Sequence, residues 1–340
     1  MNRVLSIYPP VGFTRQGRRD NNEDYVVPGV GKATPADRLF VVCDGVGGAQ
    51  RGELASLLAG ETIMAYARNN PAAAVDSSFI RAALLTVEEA FDRAIADESD
   101  SHLAGMSTTL TLLSLHEHGV TIAHIGDSRV YHIREGEILH QTDDHSLVNE
   151  LVRSGQISPE EAATHPRRNV ITRAIQGSVN PTSATVYVTQ DVAPDDYFFL
   201  CTDGVLECIS NEDLLETLQH PTLNDRQKVD DMLDRCDEKA RDNYSGYLIR
   251  VATTEPLDQP LLTDDDVVPI VVPQVQPRVT PQVTPQAAMQ HPMTIQVDEP
   301  EPVNGAATSP PESFQFTMDD DEEARWREQE NRNWIQRLFS

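Results

Sequence analysis

Residues 39–48 read LFVVCDGVGG, a continuous apolar run that stops at an acid followed by glycines. Leu39, Phe40, Val41, Val42 and Cys43 have the length and β-branched content of a strand buried on both faces. Asp44 stands at its end, where a buried carboxylate is costly unless something cationic meets it. Gly45, Gly47 and Gly48 keep side chains out of the way, so that the backbone can approach a ligand closely. A carboxylate beside a bare carbonyl is the hard-oxygen donor set that Mg²⁺ and Mn²⁺ prefer. By itself the stretch also fits an ordinary Asp-Gly turn closing a strand.

Working outward, Arg19-Asp20-Asn21-Asn22-Glu23-Asp24 forms a polar cluster ahead of Tyr25-Val26-Val27 and on its own reads as a solvated turn. Downstream, a helix is expected from Gly52, with Leu54, Leu57, Leu58, Met64 and Ala65 as its apolar stripe. A second helix follows the cap Asp76-Ser77, with Ile80, Leu84, Val87, Phe91 and Ile95 facing a core. Residues 107–115 and 120–125 predict a hairpin, and its second strand runs into Gly126-Asp127-Ser128-Arg129. Residues 130–133 and 137–141 predict another. Asp144-His145-Ser146 offers a cap to a helix over residues 147–154. The polar stretch 155–177, with Pro159 and Pro166, reads as a surface flap. Residues 196–201 (DYFFLC) form a third buried strand ending in Thr202-Asp203-Gly204, and Arg241-Asp242-Asn243 precedes a last apolar run at 247–251.

Four aspartates thus stand at strand boundaries: Asp44, Asp127, Asp203 and Asp242. Carboxylates drawn together from distant parts of a chain repel unless a cation neutralises them, so the pattern suggests strand ends converging on a shared metal site. No histidine ligand set competes, since His124 and His132 sit in strand patterns and His145 suits local hydrogen bonding. Neither a GxSxG elbow nor a GxxxxGK[ST] phosphate loop occurs. A two-metal hydrolytic centre is the sharpest chemistry the pattern permits.

Composition narrows the classes. The chain of 340 residues carries 27 basic and 54 acidic side chains, a balance that disfavours nucleic acid and anionic membranes as partners. The opening MNRVLSIYPP lacks the apolar core of a signal peptide and no run reaches transmembrane length, so a cytoplasmic protein is expected. Cys43, Cys201, Cys208 and Cys236, without CxxC spacing, read as reduced, buried thiols. From Glu255 onward the chain changes character: 12 of its 22 prolines follow, five of them (Pro269, Pro273, Pro277, Pro281, Pro285) at a four-residue step. Such a segment keeps neither a helix nor a central strand. The expected organisation is a domain over residues 1–254, a disordered Pro-rich acidic linker over 255–318, and a short amphipathic helix over 319–340. That helix would carry both tryptophans, Trp326 and Trp334, and serve as a docking segment.

The motifs, taken in order, resemble those of the metal-dependent protein phosphatases of the 2C type (PPM family) in their bacterial form. They are Arg19 with Asn22-Glu23-Asp24, Asp44-Gly45-Val46-Gly47-Gly48, Gly105-Met106-Ser107-Thr108-Thr109, Gly126-Asp127-Ser128-Arg129 with Tyr131, Asp144-His145-Ser146, Ile171-Thr172-Arg173-Ala174, Thr202-Asp203-Gly204 and Asp242-Asn243. The resemblance spans residues 4–252. It implies an α+β fold, a central β-sandwich of two antiparallel sheets flanked by α-helices on both faces. It also implies hydrolysis of phosphoserine and phosphothreonine in proteins by metal-activated water, with two Mg²⁺ or Mn²⁺ ions and a third, weaker one.

Carried over by position, Asp44 would bridge the two ions, the Gly45 carbonyl would bind one, and Asp203 and Asp242 would complete the other. Glu23 and Asp24 would hold ligand waters, Asp127 with Asp203 would take the third ion, and Arg19 would grip the substrate phosphate. The partners implied are phosphorylated proteins and a cognate Ser/Thr kinase system. Two departures stand out. Val46 occupies the position where many animal and plant members carry a histidine that serves as a candidate general acid, and Asp242-Asn243 is followed by Tyr244-Ser245-Gly246 instead of the usual Ile/Ala-Thr. The alternative reading is a catalytically weak pseudophosphatase that binds phosphoproteins; retention of all four aspartates argues against it.

Overall fold

In the computed structural model, residues 3–47, 50–71, 74–97, 105–117 and 119–256 are described. The terminal segment 319–340 and the linker, apart from its first two residues, lie outside them. Strand β4 (Leu39–Val46) contains the apolar run Leu39–Cys43. Phe40 and Val42 point into a core shared with Phe198, Leu200, Tyr247 and Ile249. Val41 and Cys43 point the other way, onto Ala55, Leu58, Val87 and Phe91 of helices α1 (Gln50–Asn69) and α2 (Ser77–Asp97). Neither face of the strand meets water, so no polar residue is needed until Asp44.

The remaining strands are β1 (Arg3–Ile7), β2 (Val11–Arg15), β3 (Asp24–Val27), β5 (Ser107–Thr108), β6 (Leu110–His116), β7 (Gly119–Ile125), β8 (Arg129–Arg134), β9 (Glu137–Gln141), β10 (Thr185–Thr189), β11 (Tyr197–Cys201) and β12 (Tyr244–Pro256). They form two six-stranded sheets, ordered β1-β12-β11-β8-β9 with β2 also on β12, and β10-β7-β6-β4-β3 with β5 also on β4. Every pairing is antiparallel. Helices α1 and α2 cover one outer face. On the other, Phe13, Tyr131 and Phe199 pack beneath Leu214 and Leu218 of α6 (Asn211–Gln219) and Val229 and Met232 of α7 (Asp225–Lys239). This is the three-core, four-layer arrangement expected of a sandwich flanked on both faces. Among the described residues no helix is long and apolar enough to cross a membrane. All four cysteines are free and buried.

Three local expectations change. Asp44-Gly45 is not a turn: β4 continues through both to Val46 because β3 and β5 pair with it there. On α1 the buried face is Ala55, Leu58, Ala59, Thr62 and Ile63, rotated from the expected stripe, with Leu54 and Met64 at its half-buried flank. The stretch 155–177 holds a helix, α4 (Pro159–Thr164), in which Pro159 starts the helix behind a Ser158–Glu161 capping box. Proline suits that first position, where its missing N–H costs nothing. As expected, Ser146 caps α3 (Leu147–Arg153), and Asp76 accepts from the amides of Ser78 and Phe79 at the start of α2.

Candidate functional site

One end of the sandwich gathers the singled-out acids. β3 and β4 pair with Asp24 directly opposite Asp44. In the other sheet, Cys201 ends β11 opposite Gly246 of β12 and Arg129 of β8. Asp203 follows in the short helix α5 (Asp203–Leu206), Asp242 precedes β12, and Asp127 lies in the link from β7 to β8. The sheets are joined here by Thr202, whose hydroxyl donates to Asp24 Oδ2 at 2.9 Å and accepts from the Ser245 amide at 3.0 Å. The departure Tyr244-Ser245-Gly246 therefore keeps regular pairing and supplies a link of its own.

Backbone atoms fix the carboxylates. The Asp44 amide donates to Thr109 Oγ1 at 3.0 Å, and the Asp44 carbonyl accepts from Thr108 Oγ1 at 2.9 Å and the Thr109 amide at 2.8 Å. The Gly45 amide donates to the Glu23 carbonyl at 3.1 Å. A Cβ on Gly45 would collide with the backbone of Gly52 and Glu23, and one on Gly52 with the Glu23 carboxylate. Glycine at both positions lets the start of α1 close over β3 and β4. Asn243 ties the other wall together, accepting from the Glu23 amide at 2.8 Å and donating to the carbonyls of Gln16 and Asn21 at 2.7 and 2.8 Å.

Protein cations compensate the acids only in part. Burial, then the charges of Asp203 and Asp242, raise Asp24 to about 7 despite its hydroxyl donors. Burial and the neighbouring Asp24, Asp203, Asp127 and Asp242 push Asp44 well above the usual carboxylate range. Burial and Asp242 raise Asp203 to about 6, held back by a hydrogen bond with Asp44. Asp127 rises to about 7, again from burial first and then Asp203. Asp24 Oδ1 and Asp203 Oδ1 are buried without any hydrogen-bond partner. Arg19 forms an ion pair with Asp242, which raises the guanidinium pKa, and also feels Glu23 and Asp203. More than half of its side chain is exposed, so its charge stays available to a ligand.

The structure therefore brings together Asp24, Asp44, Asp127, Asp203 and Asp242, with Arg19 and Glu23 at the margin. Among the described residues, no three acidic, imidazole or thiol groups close into a ready-made coordination sphere. Val46 lies at the mouth, 39% exposed, with no proton to give. The histidines belong elsewhere: His124 bonds the Asp143 carbonyl and stacks on His145, and His132 pairs with Asp196 at the far end of β11. Roles for Thr202, Thr108, Thr109 and Asn243 were not legible in sequence. Each sits in a quoted motif, but a hydroxyl or amide beside an acid carries no signal of its partner.

A sequence profile described as Protein phosphatase 2C matches residues 11–243. The chain is 37% identical over 206 residues to the serine/threonine protein phosphatase PstP of Mycobacterium tuberculosis, covering 60% of this chain but only 37% of that protein. It is 35% identical over 219 residues to a putative protein phosphatase 2C-type of Streptococcus pyogenes, covering 64% of this chain and 86% of the other. Among solved structures, the catalytic domain of PstP in complex with two manganese ions superposes with a TM-score of 0.61 at 30% identity, covering 73% of this chain and all of that one. The profile crosses both sheets and contains every acid that converges at the cleft, from Glu23 to Asp242. The chain accordingly belongs to the protein phosphatase 2C family.

Proposed function

We propose that this chain is a metal-dependent protein serine/threonine phosphatase, acting on phosphorylated proteins of a cognate kinase system. The observation that carries the reading is the cluster of aspartates from both sheets, raised in pKa by burial and then by one another, with unpartnered oxygens on Asp24 and Asp203. A divalent cation relieves that arrangement: it supplies the missing partner and reverses the repulsion. The manganese-bound PstP domain supports the choice of Mn²⁺ or Mg²⁺. With too few protein donors to close a sphere, the site suits ions that keep several waters.

Asp44, the Gly45 carbonyl, Asp203 and Asp242 would hold two ions, Glu23 and Asp24 would position their waters, and Asp127 with Asp203 would take a third. Bound ions would lower the pKa of water to give a nucleophile and would neutralise phosphoryl charge. Arg19, tethered by Asp242 at the cleft edge, presents a planar fork to the phosphate oxygens. Asn243 holds the Arg19 loop and the Glu23 backbone in register, so that the phosphate grip and the acids keep one geometry. Val46 offers no proton, so the departing serine or threonine oxygen takes its proton from water or from another residue.

The test is hydrolysis of a phosphothreonine peptide with Mn²⁺ and with EDTA, beside a phosphotyrosine peptide. Mn²⁺-dependent release of phosphate from the first and little from the second is expected. Turnover undiminished in EDTA, or none with either metal, would overturn the reading.

A further inference from the structure

Beside the carboxylates opens a cleft of about 680 Å³ with Asp127 and Asp203 at its metal end. One wall comes from α3, α4 and the loop after them, including Arg168; the other comes from α5 and the end of α7, including Lys239 and Arg241. The lining carries four cations (Arg129, Arg168, Lys239, Arg241) and four acids (Asp127, Asp144, Asp203, Glu207), whereas the chain has 27 basic and 54 acidic residues, so the cleft is enriched in cations relative to the composition. Of the acids in the lining, Asp127 and Asp203 belong to the acidic centre. Arg129 is consumed by Asp144 in a two-pronged pair at 2.7 and 2.8 Å. Glu207 accepts the backbone amide of Arg241 at 2.9 Å and keeps its negative charge, which leaves three cations against one acid outside the acidic centre. Arg168, Lys239 and Arg241 are exposed, and none has a side-chain ion pair with a described residue. Lys239 also suits the C-terminal end of α7, where the helix dipole favours a cation; Arg168 and Arg241 lie outside any helix and have no such reason.

Resting on the phosphatase reading of the same site, we propose that Arg168, Lys239 and Arg241 select phosphopeptides with acidic residues beside the phosphorylated one. A phosphorylated side chain seated at the aspartates leaves its neighbouring residues in this cleft, between the two cationic walls. Carboxylates there meet unpaired guanidinium and ammonium groups, whereas neutral or basic flanks gain nothing from them. Elsewhere the net negative charge of the protein repels an acidic peptide, so the local wall steers as well as binds. Exposed pairs are individually weak, and three acting together give a selectivity of about tenfold at low salt, shrinking as salt rises.

The experiment compares two phosphothreonine peptides, one flanked by Asp and Glu and one by Asn and Gln, on the full chain. Kd is read by fluorescence anisotropy with Mn²⁺ on non-hydrolysable phosphonate analogues of both peptides, apart from turnover, and kcat/KM with Mn²⁺ on the phosphopeptides. The wild-type chain is expected to favour the acidic peptide about tenfold in both, mainly through KM. The double variant Lys239→Glu/Arg241→Glu, and separately Arg168→Glu, should abolish or invert that preference, with thermal melting confirming a folded protein. Equal Kd for the two peptides in the wild type, or a preference that survives charge reversal, overturns the proposal. Failure to turn over either peptide strikes the phosphatase reading instead, because the binding comparison stands without it.

Discussion

Asp196 and Asp203 stand at opposite ends of β11, and both have carboxylate oxygen cut off from water. At one end, Asp196 is fully buried yet completely engaged. Arg134 donates to both of its oxygens at 2.7 and 2.8 Å, His132 Nε2 lies 2.8 Å away, and the Ala193 amide donates at 2.8 Å. Although burial opposes it, these partners hold its pKa down to about 2. At the other end, Asp203 has a buried oxygen with no partner, lies among other acids and is raised to about 6. The same residue type, flanking the same strand, serves two purposes. Where the fold supplies the cation, a buried carboxylate braces the structure. Where the fold withholds it, the repulsion is left for a ligand to relieve.

Substitutions at the two ends should therefore separate activity from stability. Asp203→Ala or Asp44→Asn should lower kcat/KM on a phosphothreonine peptide by about three orders of magnitude, the scale of losing a charge-stabilising group from an active site. The metal-free variants should melt no lower than the wild type, since like charge has been removed. Near-normal Mn²⁺-dependent turnover in either variant would break the comparison. Conversely, Asp196→Ala should cost about 1–3 kcal/mol in urea unfolding, because buried His132 and the Ala193 amide lose their partner while Arg134 keeps Asp191, and the folded fraction should keep a near-normal KM.

The acid limb of stability sharpens the contrast. Asp196 has a folded pKa below its ordinary value of 3.8, so the unfolded chain takes up the proton first. Its contribution is present above about pH 4 and is lost as pH falls through about 2. Asp196→Asn should flatten that limb in urea titrations across this window; an unchanged slope would deny the pairing.

A smaller effect is expected at Arg19, a cation that the fold places beside Asp242. Arg19→Ala should raise KM for a phosphopeptide by about tenfold, with a lesser effect on kcat where its contact is equal in ground and transition states. Unchanged KM and kcat would remove it from the phosphate site. The smallest effect concerns the division of the chain, since both ends of β11 lie within the sandwich. Truncation after Pro256 should leave peptide hydrolysis unaltered. Slower action of the truncated protein on a native phosphoprotein would assign docking to residues 319–340.

Much of this was legible from residue order. The apolar run before Asp44 follows from burial on two faces, and the caps at Asp76 and Ser146 follow from local hydrogen bonding that needs only three or four residues. Acids beyond apolar runs marked the candidate centre because unpaired charge at a strand end is costly wherever it occurs. The α1 stripe came out rotated because small residues, Ala55 and Ala59, let the helix approach the sheet closely, and hydrophobicity alone undervalues them. In sequence, Asp196 and Asp203 look alike, each an acid bounding the same strand. Only the packed sheets decide that one meets Arg134 and the other meets Asp44. Thr202 reaches Asp24 across 178 residues of sequence, and Lys239 and Arg241 come to face Arg168 across a cleft. Residue order alone marked β4, β6, β7, β8, β9 and β11, the caps at Asp76 and Ser146, and the acids beyond the apolar runs. The tertiary structure decided which charges find partners, because partnership between distant side chains is set by how the layers pack and leaves no periodic trace in the chain.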